Sequence, residues 1–381
     1  MRLLHISDLH LGKRLNEFSL YEDQLYILDQ IMDKILINKI DTVLISGDIY
    51  DKSQPSEDAY NLFDDFLSKL NKNKIKTMII AGNHDSATRL SFASSILKEN
   101  NIYISPKYDG VVSKIILNDE YGNINFYLLP FVKPVDVRKY FPDSEINDYN
   151  DAIKVVIDDL KINKDERNIL LSHQFVTGAK QSESEISVGG SENVSVDVYK
   201  DFDYVALGHL HIPQKMTYEY IRYSGSPLKY SFSEIKQDKN LVIIDIKEKN
   251  NLSISFDKLI PLHDLKELKG FYNELMDKSF YEGKDFKNDY LRIILDDEED
   301  VIDALIKMRN VYPNIMRIEY KKFEKIYDNI NDIMIEDIKK TPYELLEEFY
   351  QKQNDKPINS EQQKYIKKII EEVFLKWGLY Y

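Results

Sequence analysis

The chain has 381 residues, 43% hydrophobic and 30% charged, which supports about two to three packed domains and excludes wholesale disorder. Cysteine is absent, so disulfides, thiolate metal sites and cysteine nucleophiles are excluded. The 51 basic and 65 acidic residues give a formal net charge of −14, the wrong sign for a passive nucleic-acid coat protein.

The amino terminus, MRLLHISDLHLG, places His5, Asp8 and His10 where a secretion signal needs an unbroken apolar segment. No later apolar run approaches the ~18 residues of a membrane span. The expectation is a cytoplasmic protein with no membrane partner. Short aliphatic or β-branched runs at Leu3–Ser7, Thr42–Ser46 and Thr77–Ala81 predict buried strands. Between them lie two amphipathic helix patterns. One carries Leu25, Leu28, Met32 and Ile35, the other Ala59, Phe63, Phe66 and Leu70. Strand, helix, strand, helix, strand predicts a layered α/β domain. Further strands are expected at Asn125–Leu129, Ile169–Ser172, Tyr204–Leu207, Tyr220–Ser224 and Leu241–Ile246, closing the domain near residue 260. The polar stretch Gln174–Val194 predicts a long functional loop.

From Leu262 to Lys325 the pattern predicts helix Leu265–Met276, strand Asp289–Leu295, helix Val301–Arg309 and strand Ile315–Tyr320. Two capping boxes, Thr341–Glu344 and Ser360–Gln363, announce two final helices.

Five of the seven histidines fall in motifs, and most motifs follow a predicted strand. Asp8-Leu9-His10 follows the first. Gly47-Asp48 follows the second, and Gly82-Asn83-His84-Asp85 the third. His173 and Gly208-His209-Leu210-His211 follow later ones. Ligands in open α/β sheets bind beyond the carboxyl ends of strands, so these ends can converge. Imidazole, carboxylate and amide oxygen without thiolate suit manganese, iron or zinc. The donors are too many for one ion, whereas two ions roughly 3.5–4 Å apart and bridged by a carboxylate would use them all. The glycines before Asp48, Asn83 and His209 are expected to let the backbone turn sharply beside the ions. His5 lies inside its strand and reads as a hydrogen-bonded core residue; His263 reads as an ordinary polar residue.

The series DxH…GD…GNHD…H…GHxH resembles the calcineurin-like metallophosphoesterase superfamily. The stretches ISDLHLGK, GDIYDKSQPS, AGNHDS, VGGSENV, LGHLHIPQ, YSGSPLKYSFSE and TPYELLEEFY…INSEQQ extend the resemblance over the whole chain, to the superfamily's DNA-nuclease branch. It implies an α/β fold: a layered metallophosphoesterase β-sandwich flanked by helices, with a small α/β cap and C-terminal helices. Residues 1–260 would be the nuclease domain, 261–330 a DNA-binding cap and 331–381 a helical pair. The resemblance implies two divalent metal ions, typically Mn2+. Asp8, His10, Asp48 and His211 would hold one; Asp48, Asn83, His173 and His209 would hold the other. His84 would be the catalytic histidine that binds no metal, with Asp51 or Asp85 beside it to set its tautomer. Lys13, Arg14 and Arg89 are expected phosphate contacts, and Ser224 and Ser226 are expected near the scissile strand. The implied activity is 3′→5′ exonuclease and endonuclease cleavage of DNA, with an SMC-type ATPase as partner to the helical pair and a homodimeric assembly. The alternative is a phosphoesterase acting on small phosphoesters. A protein phosphatase is disfavoured, because Gly47–Asp51 continues as Lys52-Ser53 where that class carries arginine.

Overall fold

The computed structural model describes residues 1–185, 193–321, 346, 347, 350, 351, 357–359, 362, 363, 365 and 366. The chain divides into two compact units. The first holds Met1–Leu268, Gly283–Arg292 and Met308–Arg317; the second holds Lys269–Glu282, Ile293–Lys307 and Ile318–Tyr381.

Two six-stranded sheets build the first unit. In one, the parallel strands Arg2–Ile6, Thr42–Ser46, Lys76–Ile80 and Ile102–Ser105 lie side by side. Asn240–Ile246 and Leu252–Lys258 extend it antiparallel on the Arg2–Ile6 side. In the other, Ile221–Tyr223, Tyr204–Gly208, Arg167–His173 and Gly122–Leu129 run parallel, with antiparallel Gln214–Lys215 and Ser113–Asp119 at its edges. Alternate side chains decide which face is which. Leu3, Leu44, Met78 and Ile80 pack with Phe126, Leu128, Ile169, Leu171 and Ala206 between the sheets. Leu4, Ile6, Val43 and Ile45 point the other way, onto the helices Tyr21–Ile37 and Glu57–Lys72. The helix Tyr149–Asp159 covers the second sheet through Ala152, Ile153, Val156 and Ile157. The result is a β-sandwich flanked by helices, as expected.

Local signals explain why these segments fold as they do. Ser56 caps Glu57–Lys72 by accepting from the Ala59 N–H at 3.3 Å. Glu57 and Asp58 then occupy the first turn and Lys69 and Lys72 the last, which suits the helix dipole.

A third sheet has the order Leu265–Gly270, Tyr290–Leu295, Ile315–Tyr320. Leu265–Gly270 corrects the expected helix at Leu265–Met276, of which only Tyr272–Leu275 is helical. Leu265 and Leu268 are three apart and mimic a helical stripe, but Leu-Lys-Glu-Leu-Lys-Gly is a charged edge strand with Leu265 alone buried. The expected final helices fall mostly outside the described residues. Among those described, Asn359 and Gln362 form the reciprocal cap, with bonds of 3.0 and 2.9 Å, so the second box begins one residue before Ser360.

Candidate metal centre

Asp8 and His10 follow Arg2–Ile6, Asp48 follows Thr42–Ser46, and Asn83 and His84 follow Lys76–Ile80. His173 ends its strand in the second sheet, and His209 and His211 follow Tyr204–Gly208. Main-chain bonds align the first two loops: Asp8 N–H to Gly47 O at 3.0 Å, His10 N–H to Asp48 O at 3.0 Å and Leu11 N–H to Ile49 O at 2.8 Å. Asp8, His10, Asp48 and His209 all have positive φ, of 54°, 44°, 50° and 103°. Such backbone costs about 1–3 kcal/mol per residue and persists where the surroundings enforce it.

The site's glycines serve two different purposes. Gly47 has φ +89° and makes a left-handed turn; Gly208 does not. A side chain at Gly208 would put its first carbon 1.8 Å from Ser46 O, so Gly208 is there for close approach between the sheets.

Ligand atoms of Asp8, His10 and His211 lie within 4.8 Å of one another, as do those of Asp8, Asp48 and His173. His10 Nε2 faces His211 Nε2 at 3.0 Å. Asp48 Oδ2 lies 3.3 Å from His173 Nε2 and 3.8 Å from His10 Nε2, between the two groups. Asn83 Oδ1 is 3.0 Å from both His173 Nε2 and His209 Nδ1. His173 Nδ1 donates to Ser46 O at 2.7 Å, so in the neutral ring Nε2 is the nitrogen that offers its lone pair to the centre.

Buried nitrogens aimed at one another and at carboxylates fit cations. His10 Nε2 and His211 Nε2 converge at 3.0 Å, and all the donors are nitrogen or oxygen, which suits borderline-hard divalent ions. Two candidate divalent-metal sites are thus present. Buried at close quarters, these groups shift one another's protonation. Burial pushes Asp8 up to about 7 against the pull of His173. Burial opposes charge on His173, but Asp48 and Asp8 raise it to about 9. Burial, with His173 nearby, lowers His209 to about 3.

His84 is exposed beside this cluster. Its Nδ1 lies 2.9 Å from the main-chain oxygen of Asp51, and its N–H donates to Asp48 Oδ1 at 2.9 Å. The group on the His84 ring is therefore the carbonyl and not the carboxylate of Asp51, which instead pairs with Lys13 Nζ at 2.7 Å. Asp85 buttresses the turn, accepting from the N–H groups of Gly82, Ile49 and Tyr50. Asp51, Lys52, Ser53, Gln54, Asn83 and His84 line an open depression.

The expected substrate contacts are distributed differently. Ser224 and Ser226 are buried; Ser224 Oγ bonds Ser7 Oγ at 2.8 Å and Ser226 Oγ donates to Leu228 O at 2.7 Å. They support the fold beneath the centre, because the turn they occupy is covered. Arg14 bonds the Glu17 carbonyl, and Arg89 lines a groove with Tyr60, Phe63 and Leu67. His5 Nδ1 meets Tyr204 OH at 3.0 Å inside the sandwich, and His263 meets Asp23. The long polar loop is pinned at its base by a bridge between Val176 and Val194.

Sequence reasoning missed the residues behind His211, namely Ser184, Glu185, Glu234 and Lys239. Glu234 and Lys239 are buried charges; Glu234 closes the stretch YSGSPLKYSFSE, but nothing in that stretch pairs it with the histidine.

Residues 1–213 match the calcineurin-like phosphoesterase family model. This chain belongs to the calcineurin-like phosphoesterase family. As a calcineurin-like phosphoesterase it carries a second matched region at residues 261–354, described as the type 5 capsule protein repressor C-terminal domain. It is 32% identical over 383 residues to SbcD of the nuclease SbcCD from Staphylococcus epidermidis, covering 99% of this chain and 100% of that protein. The chain is thus a calcineurin-like phosphoesterase homologous to SbcD. Solved structures with partial likeness include a dimetal phosphatase from Danio rerio, with 12% identity, 67% of this chain, 95% of that chain and a TM-score of 0.42. Another is the protein TT1561 of Thermus thermophilus, with 14% identity, 67% of this chain, 98% of that chain and a TM-score of 0.38.

Proposed function

We propose that this protein is a two-metal DNA nuclease that cleaves duplex ends and hairpins as a 3′→5′ exonuclease and endonuclease. It would act with an SbcC-like SMC-type ATPase in DNA repair and recombination. The observation that carries the reading is the pair of overlapping donor groups on Asp8, His10, Asp48, His173 and His211. The full-length likeness to a nuclease component supports it.

Asp8, His10, Asp48 and His211 would hold one cation, and Asp48, Asn83, His173 and His209 the other, with Mn2+ the favoured ion. When bound, two such cations neutralise charge on the phosphate and acidify water. His84 supplies the proton. Its Nδ1–H faces a carbonyl, so Nε2 is the nitrogen left for the leaving 3′ oxygen. Lys52 lines the same depression and is an added candidate for the phosphate backbone. With the net charge of −14, the isolated chain should hold duplex weakly, and a homodimer and the ATPase would supply further surface.

The second matched region, residues 261–354, starts where the nuclease domain 1–260 would end, and a cap would occupy 261–330 within it. Residues 331–381 would dock the ATPase. Among the described residues no helix is long and apolar enough to cross a membrane. A cytoplasmic site of action follows from the DNA substrate proposed. The test is digestion of labelled DNA with Mn2+, with and without the ATPase, beside hydrolysis of a small phosphomonoester and a bis-ester. Cleavage of the small esters alone would favour the other reading.

A further inference from the structure

His211 is held from behind by groups that the metal motifs do not include. Its Nδ1 lies 3.0 Å from Ser184 Oγ, 3.5 Å from Glu234 Oε1 and 3.7 Å from Glu185 Oε1. Its main-chain N–H donates to Glu185. Glu234 is fully buried and pairs at 2.5 Å with Lys239, which is also buried. Lys239 Nζ then donates to the His211 main-chain oxygen at 2.7 Å and to Ser226 Oγ at 3.0 Å.

A buried ion pair is rarely the most stable way to fill a core. This one embraces a single histidine, with its carboxylate at the ring and its ammonium at the carbonyl. The neighbouring imidazoles are held otherwise. His173 leans on the main-chain oxygen of Ser46, and His10 Nδ1 faces the Asp51 carboxylate at 3.8 Å, beyond hydrogen-bond reach. In the trio Asp8, His10 and His211, the ring hydrogen-bonded from behind is that of His211.

We propose that Glu234, seated by Lys239, is a positioning residue that turns His211 Nε2 toward His10 Nε2 and so sets affinity for the cation at Asp8, His10 and His211. The inference rests on the two-metal reading of the centre. A carboxylate facing Nδ1 fixes the tautomer in which Nε2 offers its lone pair. Loss of such an outer partner typically costs about 10–100-fold in metal affinity. His173, Asn83 and His209 make no hydrogen bond or ion pair with Glu234 among the described residues, so the second cation should be spared.

The experiment is Mn2+ titration of the full chain by calorimetry, with electron paramagnetic resonance at each ratio. It compares wild type, Glu234→Gln, and Glu234→Gln combined with Lys239→Met. Wild type should take two equivalents and show a spin-coupled pair. Glu234→Gln should keep one affinity unchanged, weaken the other by about 10–100-fold and show an isolated ion at one equivalent. The double variant removes both charges of the pair and is read by the same criteria if the single variant does not fold. Two unchanged affinities, or two equally weakened ones, would overturn the proposal. Failure of both variants to fold would also overturn it, because the pair would then serve the fold. If wild type itself fails to take two equivalents, the two-metal reading falls first and this proposal with it.

Discussion

His84 Nδ1 rests 2.9 Å from the main-chain oxygen of Asp51, while the Asp51 carboxylate turns away to Lys13. The ring is thus oriented by backbone, which survives substitution of the side chain. His84→Ala is expected to keep both metals and lose about 10²–10⁴-fold in cleavage rate. Asp51→Ala should cost markedly less, because the carbonyl remains. Metal-loaded rates on a labelled duplex compare them; equal losses would return the orienting role to the carboxylate.

Asp48 Oδ2 sits between His173 Nε2 and His10 Nε2, and Oδ1 holds the His84 N–H. Asp48→Ala should therefore lose tight binding of both cations together with activity. Calorimetric titration that still finds two equivalents of manganese would remove Asp48 from the bridge.

Metal uptake should expel protons. In the metal-free protein Asp48 holds His173 up to about 9, despite burial, so the ring is charged at neutral pH. To bind a cation the imidazole must be neutral and the carboxylate ionised. Affinity should then rise as pH climbs toward 9 and fall below it, with Asp8, raised to about 7, adding to the slope near neutrality. Binding heats measured in buffers of different ionisation enthalpy should differ at pH 7; identical heats would contradict this.

Gly208→Ala should destabilise the first unit. The new methyl would meet Ser46 O, which is also the acceptor for His173. Overpacking of this kind costs about 1–3 kcal/mol or more. Urea unfolding reads the loss, and a midpoint equal to wild type would show that the sheets can separate there.

A chain ending at Lys340 is expected to keep manganese-dependent cleavage of simple DNA ends and to lose co-purification with the ATPase. The motive is the apolar stripe Ile366, Ile369, Ile370, Val373 and Phe374 behind a capped start. Unchanged affinity for the ATPase would place docking elsewhere.

The metal-side residues were legible because each sits where an aliphatic run stops. A buried parallel strand must end at the sheet's rim, and a histidine or aspartate there has few other uses. Strand boundaries were read to within one or two residues for Arg2–Ile6 and Thr42–Ser46 for the same reason. The cradle was illegible because burial of Glu234 and Lys239 is a tertiary fact: Ser-Phe-Ser-Glu reads as a polar turn in one dimension. Ser224 and Ser226 misled in the opposite sense. Their turn looks open in sequence, yet strand Ile221–Tyr223 carries it beneath the centre. Leu265–Gly270 was misread because two leucines three apart satisfy a helix while a sheet neighbour decides for a strand.

The candidate donors come from both sheets, Asp8, His10 and Asp48 from one and His173 and His211 from the other, with Asn83 and His209 beside them. A bound cation would therefore be a rivet through the sandwich, closing the seam already tacked by His173 on Ser46 and by the His209 N–H on Asp8. Sliding one sheet over the other requires the rivet to be drawn. Chelators should thus act as mild denaturants, and the thermal midpoint should climb with the logarithm of free metal above its dissociation constant.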